Sequence, residues 1–290
     1  MTDPAAPSPA AAPGVDPRRA LDAIGTLPDA EIDLAASAIQ LARIDASDAD
    51  WRAAMACLSE IARDAAVLAR TRLPPQADGP ARASALADLL AGSWGFAGDT
   101  DSYDHPDNAN LIRVLDRRRG LPVALGIVWL HAARAAGWPA DGIDFPAHFL
   151  IALTAPAGPV VLDVFAGGAQ LDAPALRAML VRIQGPGAAL HPDLLRPTGN
   201  RAILLRLANN LRTRRLAGGD LAGALACAED MLRIAPDSAP LWRETGMLHQ
   251  RIDQVGAALR CFERFLSLVP RGASADRLRA EMAALRARLH

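Results

Sequence analysis

An α+β protein, mostly helical, is what these 290 residues encode: N-terminal helices, a middle region with a small antiparallel sheet, and C-terminal helical repeats. Spacing patterns in three stretches point there. Apolar residues recur every three or four positions through the first third, as in Trp51, Met55, Leu58, Ile61, Ala65 and Leu68. Two β-rich runs, "HFLIAL" and "VVLDVF", lie close together in the middle. In the last third Pro236 and Pro270, Ala224 and Ala258, Leu225 and Leu259, and Leu232 and Leu266 are each 34 residues apart.

Residues 1–17, "MTDPAAPSPAAAPGVDP", lack a basic region and an apolar run, so they are no secretory signal; their Pro/Ala composition reads as a disordered tail. Residues 18–98 form an N-terminal helical region, with "SDAD" from Ser47 to Asp50 resembling a capping box. "RLPPQADGPA" interrupts it before a helix expected over Ala83 to Ala91. Residues 99–196 form the middle unit. There Asn108 is placed to cap a helix running to Arg117, Arg118 and Arg119, and Gly120 to stop it. Pro122 suits the first turn of the next helix, where its missing N–H is not needed. That helix is apolar nearly all round and is expected to be buried.

The two β-rich runs are joined by "TAPAGP". If Leu153 pairs with Val160, Asp163 falls opposite Leu150, and His148 becomes its diagonal neighbour on the same face. Such neighbours are roughly 7–8 Å apart at Cα, a span an imidazole and a carboxylate can bridge.

Residues 197–290 carry the repeat. Its period is that of tetratricopeptide repeats (TPRs), and Trp242, Gly246, Ala258, Phe262 and Pro270 fall at the pattern's positions. Leu278, Met282, Leu285 and Leu289 mark a capping helix. Cys227 and Cys261 occupy one position in successive repeats, which favours packing over chemistry.

A buried helix opening at a glycine, then a strand with His and a strand with Asp, is the order of a papain-like or transglutaminase-like core. The residues "YDHPDNANLIRVLDRRRGLPVALGIVWLHAARAAGWPADGIDFPAHFLIAL" and "VVLDVFAGG" resemble the SirB family, described as bacterial regulators of sirC expression with a transglutaminase-like domain followed by TPRs. The resemblance implies that His148 and Asp163 match the histidine and aspartate of a triad. It puts the nucleophile position at or next to Pro122, which has no nucleophilic atom. Ala124 stands where family members commonly have serine, Ala147 replaces a glycine and Val164 a proline.

Totals and motifs limit what else the chain does. A formal net charge of −1 and the lack of a basic recognition helix argue against nucleic acid; all 31 basic residues are arginine. The longest apolar run, Leu121 to Leu130, is too short to span a bilayer. Three dispersed cysteines point to a reducing compartment, the cytoplasm. The six histidines show no metal-ligand spacing, and "GFAGDTD" lacks the lysine of a phosphate loop, so no cofactor or metal is expected. Asn108 with Arg117, Arg118 and Arg119 forms a candidate site for a carboxylate or phosphate. A TPR groove lined by Arg206, Asn209, Asn210, Arg214, Arg243 and Glu244 is a candidate for a protein or peptide partner. Two functions follow: a regulatory interaction module with a catalytically degenerate core, or a cysteine-independent hydrolase or acyltransferase using the His148–Asp163 pair.

Overall fold

The computed structural model describes residues 15–74 and 77–287. Most of the expected tail therefore lies outside the described residues, as does Leu289. Pro17 already opens the first helix, capped by the Asp16 carboxylate, which accepts from the Arg19 amide.

Helices α1 (Pro17–Thr26), α2 (Leu34–Asp45) and α3 (Trp51–Thr71) form the N-terminal layer. On α3 the buried stripe is Ala54, Leu58, Ile61, Ala65 and Leu68. Its cap is Asp50 and not Ser47: a cap must directly precede the first helical residue, and the Asp50 carboxylate accepts from the amides of Arg52 and Ala53. Helix α4 spans Gly79–Ala87, earlier than expected because Asp78 and Pro80 together start a helix, and a π-turn over Asp88–Ser93 extends it.

Next come β1 (Ala97–Gly98), α5 (Leu111–Arg117) and β2 (Arg119–Gly120), with β1 and β2 paired in parallel. Asn110, not Asn108, caps α5, accepting from the Ile112 and Arg113 amides. Asn108 sits one turn too early, in a 3-10 turn over Pro106–Ala109. The helix stops at Arg118, which takes the left-handed conformation at φ 58° before Gly120 is reached.

Helix α6 (Pro122–Ala135) has Pro at its first position and is buried almost throughout. Gly126 lets it meet the Phe149 ring, into which a Cβ would intrude. Around it lies a five-stranded antiparallel sheet of β3 (Ala140–Ile143), β4 (Leu150–Leu153), β5 (Val160–Asp163), β6 (Ala169–Leu171) and β7 (Pro197–Thr198), in the order β6-β5-β4-β3-β7. Leu153 pairs with Val160, the expected register. Alternation along the strands divides the sheet: Ile151, Leu153 and Leu162 join the α6 core, while Leu150 and Val161 pack with Leu176, Met179 and Leu180 of α7 (Ala173–Gln184).

Helices α8 (Asn200–Ala217), α9 (Leu221–Ile234), α10 (Ala239–Arg251) and α11 (Val255–Leu268) form two helical pairs, followed by α12 (Ala273–Ala287). Gly246 is pressed against the Phe262 ring, which explains the small residue at that repeat position. The array does not stand free. Leu21 and Ile24 of α1, Phe149 and Ile203, Leu204 and Leu207 of α8 share one buried cluster with α6. Gly199 offers α8 no capping side chain, and the Asp29 carboxylate supplies it from outside, accepting from the amides of Asn200 and Arg201. Among the described residues no helix is long and apolar enough to cross a membrane.

Candidate functional site

The segment between β3 and β4 carries the histidine. Its amide donates to the Phe145 carbonyl at 3.0 Å, closing a turn, so His148 precedes β4 and does not lie within a strand. Ala147 is held at φ 49°, in the left-handed region that glycine tolerates and alanine resists by roughly 1 kcal/mol. The glycine expected there had a backbone reason.

His148 Nε2 lies 3.0 Å from Asp163 Oδ1. The register of β4 with β5 brings the start of one strand to the end of the other, which is how residues 15 apart meet. The same Oδ1 accepts from the Phe165 amide at 3.0 Å and the Ala166 amide at 3.2 Å. Burial pushes the Asp163 carboxyl up, but the bond and charge of His148 and the two amides outweigh it, so its pKa is lowered. A carboxylate held this way accepts Nε2–H and leaves Nδ1 as the acceptor of the neutral ring. Nδ1 has no partner among the described residues. Phe165 meets the imidazole edge-on, with centroids 6.3 Å apart.

The ring faces a cleft of about 400 Å³. Leu121, Pro122 and Val123 line one side of it, at the start of α6. Pro122 thus sits where the resemblance puts a nucleophile, and among the described residues no thiol or aliphatic hydroxyl lines the cleft. No side chain caps α6. The Val123 N–H, second in the helix, has no acceptor among the described residues. Ala124 is fully buried and takes no part.

The opposite wall comes from α8: Arg206, Asn209 and Asn210. Arg206 donates to the His148 carbonyl at 2.6 Å, pairs with Asp144 and lies over the Phe149 ring at 5.7 Å. One side chain therefore grips the histidine turn at three points. Burial lowers the Arg206 pKa, with Tyr103 opposing. Asn210 is spent internally, donating to the Arg206 carbonyl and accepting from Arg214. Arg214 reaches the Tyr103 carbonyl and Asp104. Arg243, on α10, is exposed and lies away from this cleft.

The arginine cluster is dispersed. Arg117 bonds Asn108 Oδ1 and Asp99 Oδ2, both at 3.0 Å. Asp99 is held at about 2, first by the Ser102 amide, against burial, with the Ser102 hydroxyl, Asn108 and Arg117 helping. Arg118 donates to Cys57 Sγ at 3.1 Å and lies over the Trp94 and Phe96 rings. Arg119 donates to the carbonyls of Gly95 and Arg118. Neither Asn108 nor any of these arginines lines the cleft. Sequence reasoning missed Tyr103 and Asp144 altogether. It put Arg206 in a peptide groove because nothing local reveals which surface α8 docks against.

The profile of the transglutaminase-like superfamily matches residues 55–209, and a tetratricopeptide repeat profile matches residues 211–283. The two matches meet inside α8. A "UPF0162 protein" of Vibrio cholerae is 32% identical over 218 residues, 75% of this chain and 80% of that one. Another, from Xylella fastidiosa, is 31% identical over 206 residues, 70% and 73% of the two chains. "Protein SirB1" of Salmonella typhimurium is 24% identical over 197 residues, 68% and 73%.

Proposed function

This chain belongs to the transglutaminase-like superfamily and, within it, to the SirB family, and on that premise we propose that it is a regulatory interaction module whose cleft binds its ligand without transforming it. The observation that carries the reading is Pro122. At the first position of α6, where a thiolate would gain from the helix dipole and a neighbouring imidazolium, the chain has a ring with no nucleophilic atom. What supports an orienting remnant is the bond from His148 Nε2 to Asp163, with Nδ1 left without a partner among the described residues. Such a site holds a proton and a hydrogen-bonding partner but forms no acyl-enzyme.

The test is a transamidation assay with a glutamine-bearing casein and a fluorescent primary amine. No incorporation is expected from the native chain, and incorporation would overturn the reading. Pro122→Cys should create a thiol that iodoacetamide alkylates faster at pH 6.5 than it does Cys57, Cys227 or Cys261.

A second reading rests on the intact His148–Asp163 bond. As a cysteine-independent hydrolase or acyltransferase, the chain would use His148 Nδ1 to take a proton from water or an acceptor hydroxyl as its oxygen adds to a carbonyl, with the Val123 N–H facing the oxyanion. Turnover that His148→Ala abolishes would favour it.

A further inference from the structure

A net charge of −1 conceals an uneven division. Residues 201–290 hold 15 arginines against nine Asp and Glu, whereas residues 1–200 hold 16 arginines against 23. The repeats therefore carry an excess of six positive charges, and the two helical pairs dispose of it differently. The first pair spends its arginines on the acidic remainder: Arg206 meets Asp144, Arg214 meets Asp104, Arg215 meets Asp45 and Arg233 meets Asp22. In the second pair Arg243 and Arg251 of α10 and Arg260 of α11 are exposed and have no carboxylate partner among the described residues. Glu244, the one carboxylate on α10, is taken by Arg212 of α8 at 2.5 Å.

The spacing on α10 is specific. Arg243, Met247 and Arg251 are four residues apart, so they stand on one face at successive turns, about 6 Å from each other along the axis. Among the described residues Met247 is the one exposed large apolar side chain on the repeats. A flexible thioether between two guanidiniums can take an apolar side chain of varied shape and a carboxylate on either side of it. In an extended chain alternate side chains point the same way, about 6.7 Å apart. The face therefore matches the pattern acid, any residue, apolar, any residue, acid. A nucleic acid strand would call for a stacking ring between the charges, and the residue there is methionine.

We propose that the exposed face of α10 is a docking surface for an acidic segment of a protein partner, held extended, with its two carboxylates on Arg243 and Arg251 and its apolar residue over Met247. This surface lies apart from the cleft and does not depend on what the cleft does. The same three positions 34 residues earlier are Asn209, Thr213 and Ala217, which have neither charge nor a long apolar side chain. Recognition therefore falls to the second copy alone.

The test uses the full chain and peptides carrying a neutral fluorophore, followed by fluorescence anisotropy. The parent probe is Gly-Ser-Glu-Ser-Leu-Ser-Glu-Ser-Gly. One companion has both Glu replaced by Gln, a second has Leu replaced by Ser, and a third has both Glu replaced by Arg. Saturable micromolar binding of the parent is expected, at least ten-fold tighter than the Gln probe and about five-fold tighter than the Ser probe. Arg243→Ala with Arg251→Ala should weaken the parent at least ten-fold with Tm unchanged. Charge reversal is the decisive arm: Arg243→Glu with Arg251→Glu should lose the parent probe and gain the Arg probe. No saturable binding of the parent below millimolar concentration, equal binding of the Gln or Ser probe, unchanged affinity in the double alanine variant, or no gain on charge reversal would overturn the proposal. Tighter binding of a twelve-residue oligothymidylate than of the parent would overturn it too, since the face would then serve a nucleic acid.

Discussion

Asn209 and Asn210 occupy the repeat positions that Arg243 and Glu244 occupy 34 residues later, yet the two pairs meet different surroundings. On α8 they line the cleft beside His148; on α10 they are exposed. The buried side of the repeats does not diverge this way. Cys227 and Cys261, also equivalent, are both buried, and burial pushes both thiols up to about 11. Packing within a repeat is preserved from copy to copy, while the outer face of each first helix is free to take a separate task. The first copy has given that face to the core.

The largest effect should come from removing what α8 supports. Asp163 accepts from His148 and two backbone amides, so Asp163→Ala leaves three donors unmet and should cost about 3 kcal/mol in urea unfolding. Its pH dependence has a definite sign. The folded pKa lies below the unfolded one, so the stabilisation is full above the unfolded value of about 3.9 and is lost as pH falls through the folded value. The gap between native chain and variant should be constant near neutrality and narrow below about pH 4. A gap that widened on acidification would show that the carboxylate is not what the turn depends on.

Arg206→Met comes next. It removes the bond to the His148 carbonyl and the pair with Asp144 while keeping some cover for Phe149, and should cost about 2 kcal/mol. Line broadening of the His148 ring should accompany it, since the turn loses its hold. Arg206→Lys should restore most of the stability but only part of the ring's order, because an ammonium cannot reproduce a fork that reaches two acceptors. If the ring signal is unmoved in Arg206→Met, the two walls are independent.

A smaller effect of opposite sign is expected inside the turn. Ala147→Gly relieves the left-handed strain at φ 49° but gives the unfolded chain more freedom, for a net gain of about 0.5 kcal/mol. A lower Tm would mean that the Ala147 methyl contributes packing that outweighs the strain.

These residues also show how far the sequence could be read. The register of β4 and β5 was legible because a six-residue loop and two apolar runs leave few pairings, and from it the approach of His148 to Asp163 followed. The repeats were legible through their period, and α6 through its uninterrupted apolarity. Strand β3 was not: "ADGI" has neither alternation nor β-branched density, and it is a strand only because β4 and β7 flank it. The caps were misplaced by two or three residues at Asp50 and Asn110, where several Ser, Asp and Asn residues compete locally and only the first packed residue of the helix decides. The arginine cluster reads as one feature along the chain. In space it is three, because a left-handed residue at Arg118 turns successive side chains toward different partners.

The smallest effect tests whether α10 has taken up a task of its own. Arg243 has no ion pair among the described residues, and Met247, one turn on, is 44% exposed. Arg243→Ala with Met247→Ala removes only solvated surface, so unfolding free energy should change by less than about 0.5 kcal/mol. Glu244→Ala breaks the pair with Arg212, whose glutamate is half exposed, and should cost no more than about 1 kcal/mol, less in high salt. Asn210→Ala unseats Arg214 on the other helix and should exceed both. If a peptide partner binds through the cleft, the α10 variants leave its affinity unchanged while Asn209→Ala does not. If instead the α10 variants weaken binding and Asn209→Ala is neutral, the second repeat, and not the first, carries the recognition surface.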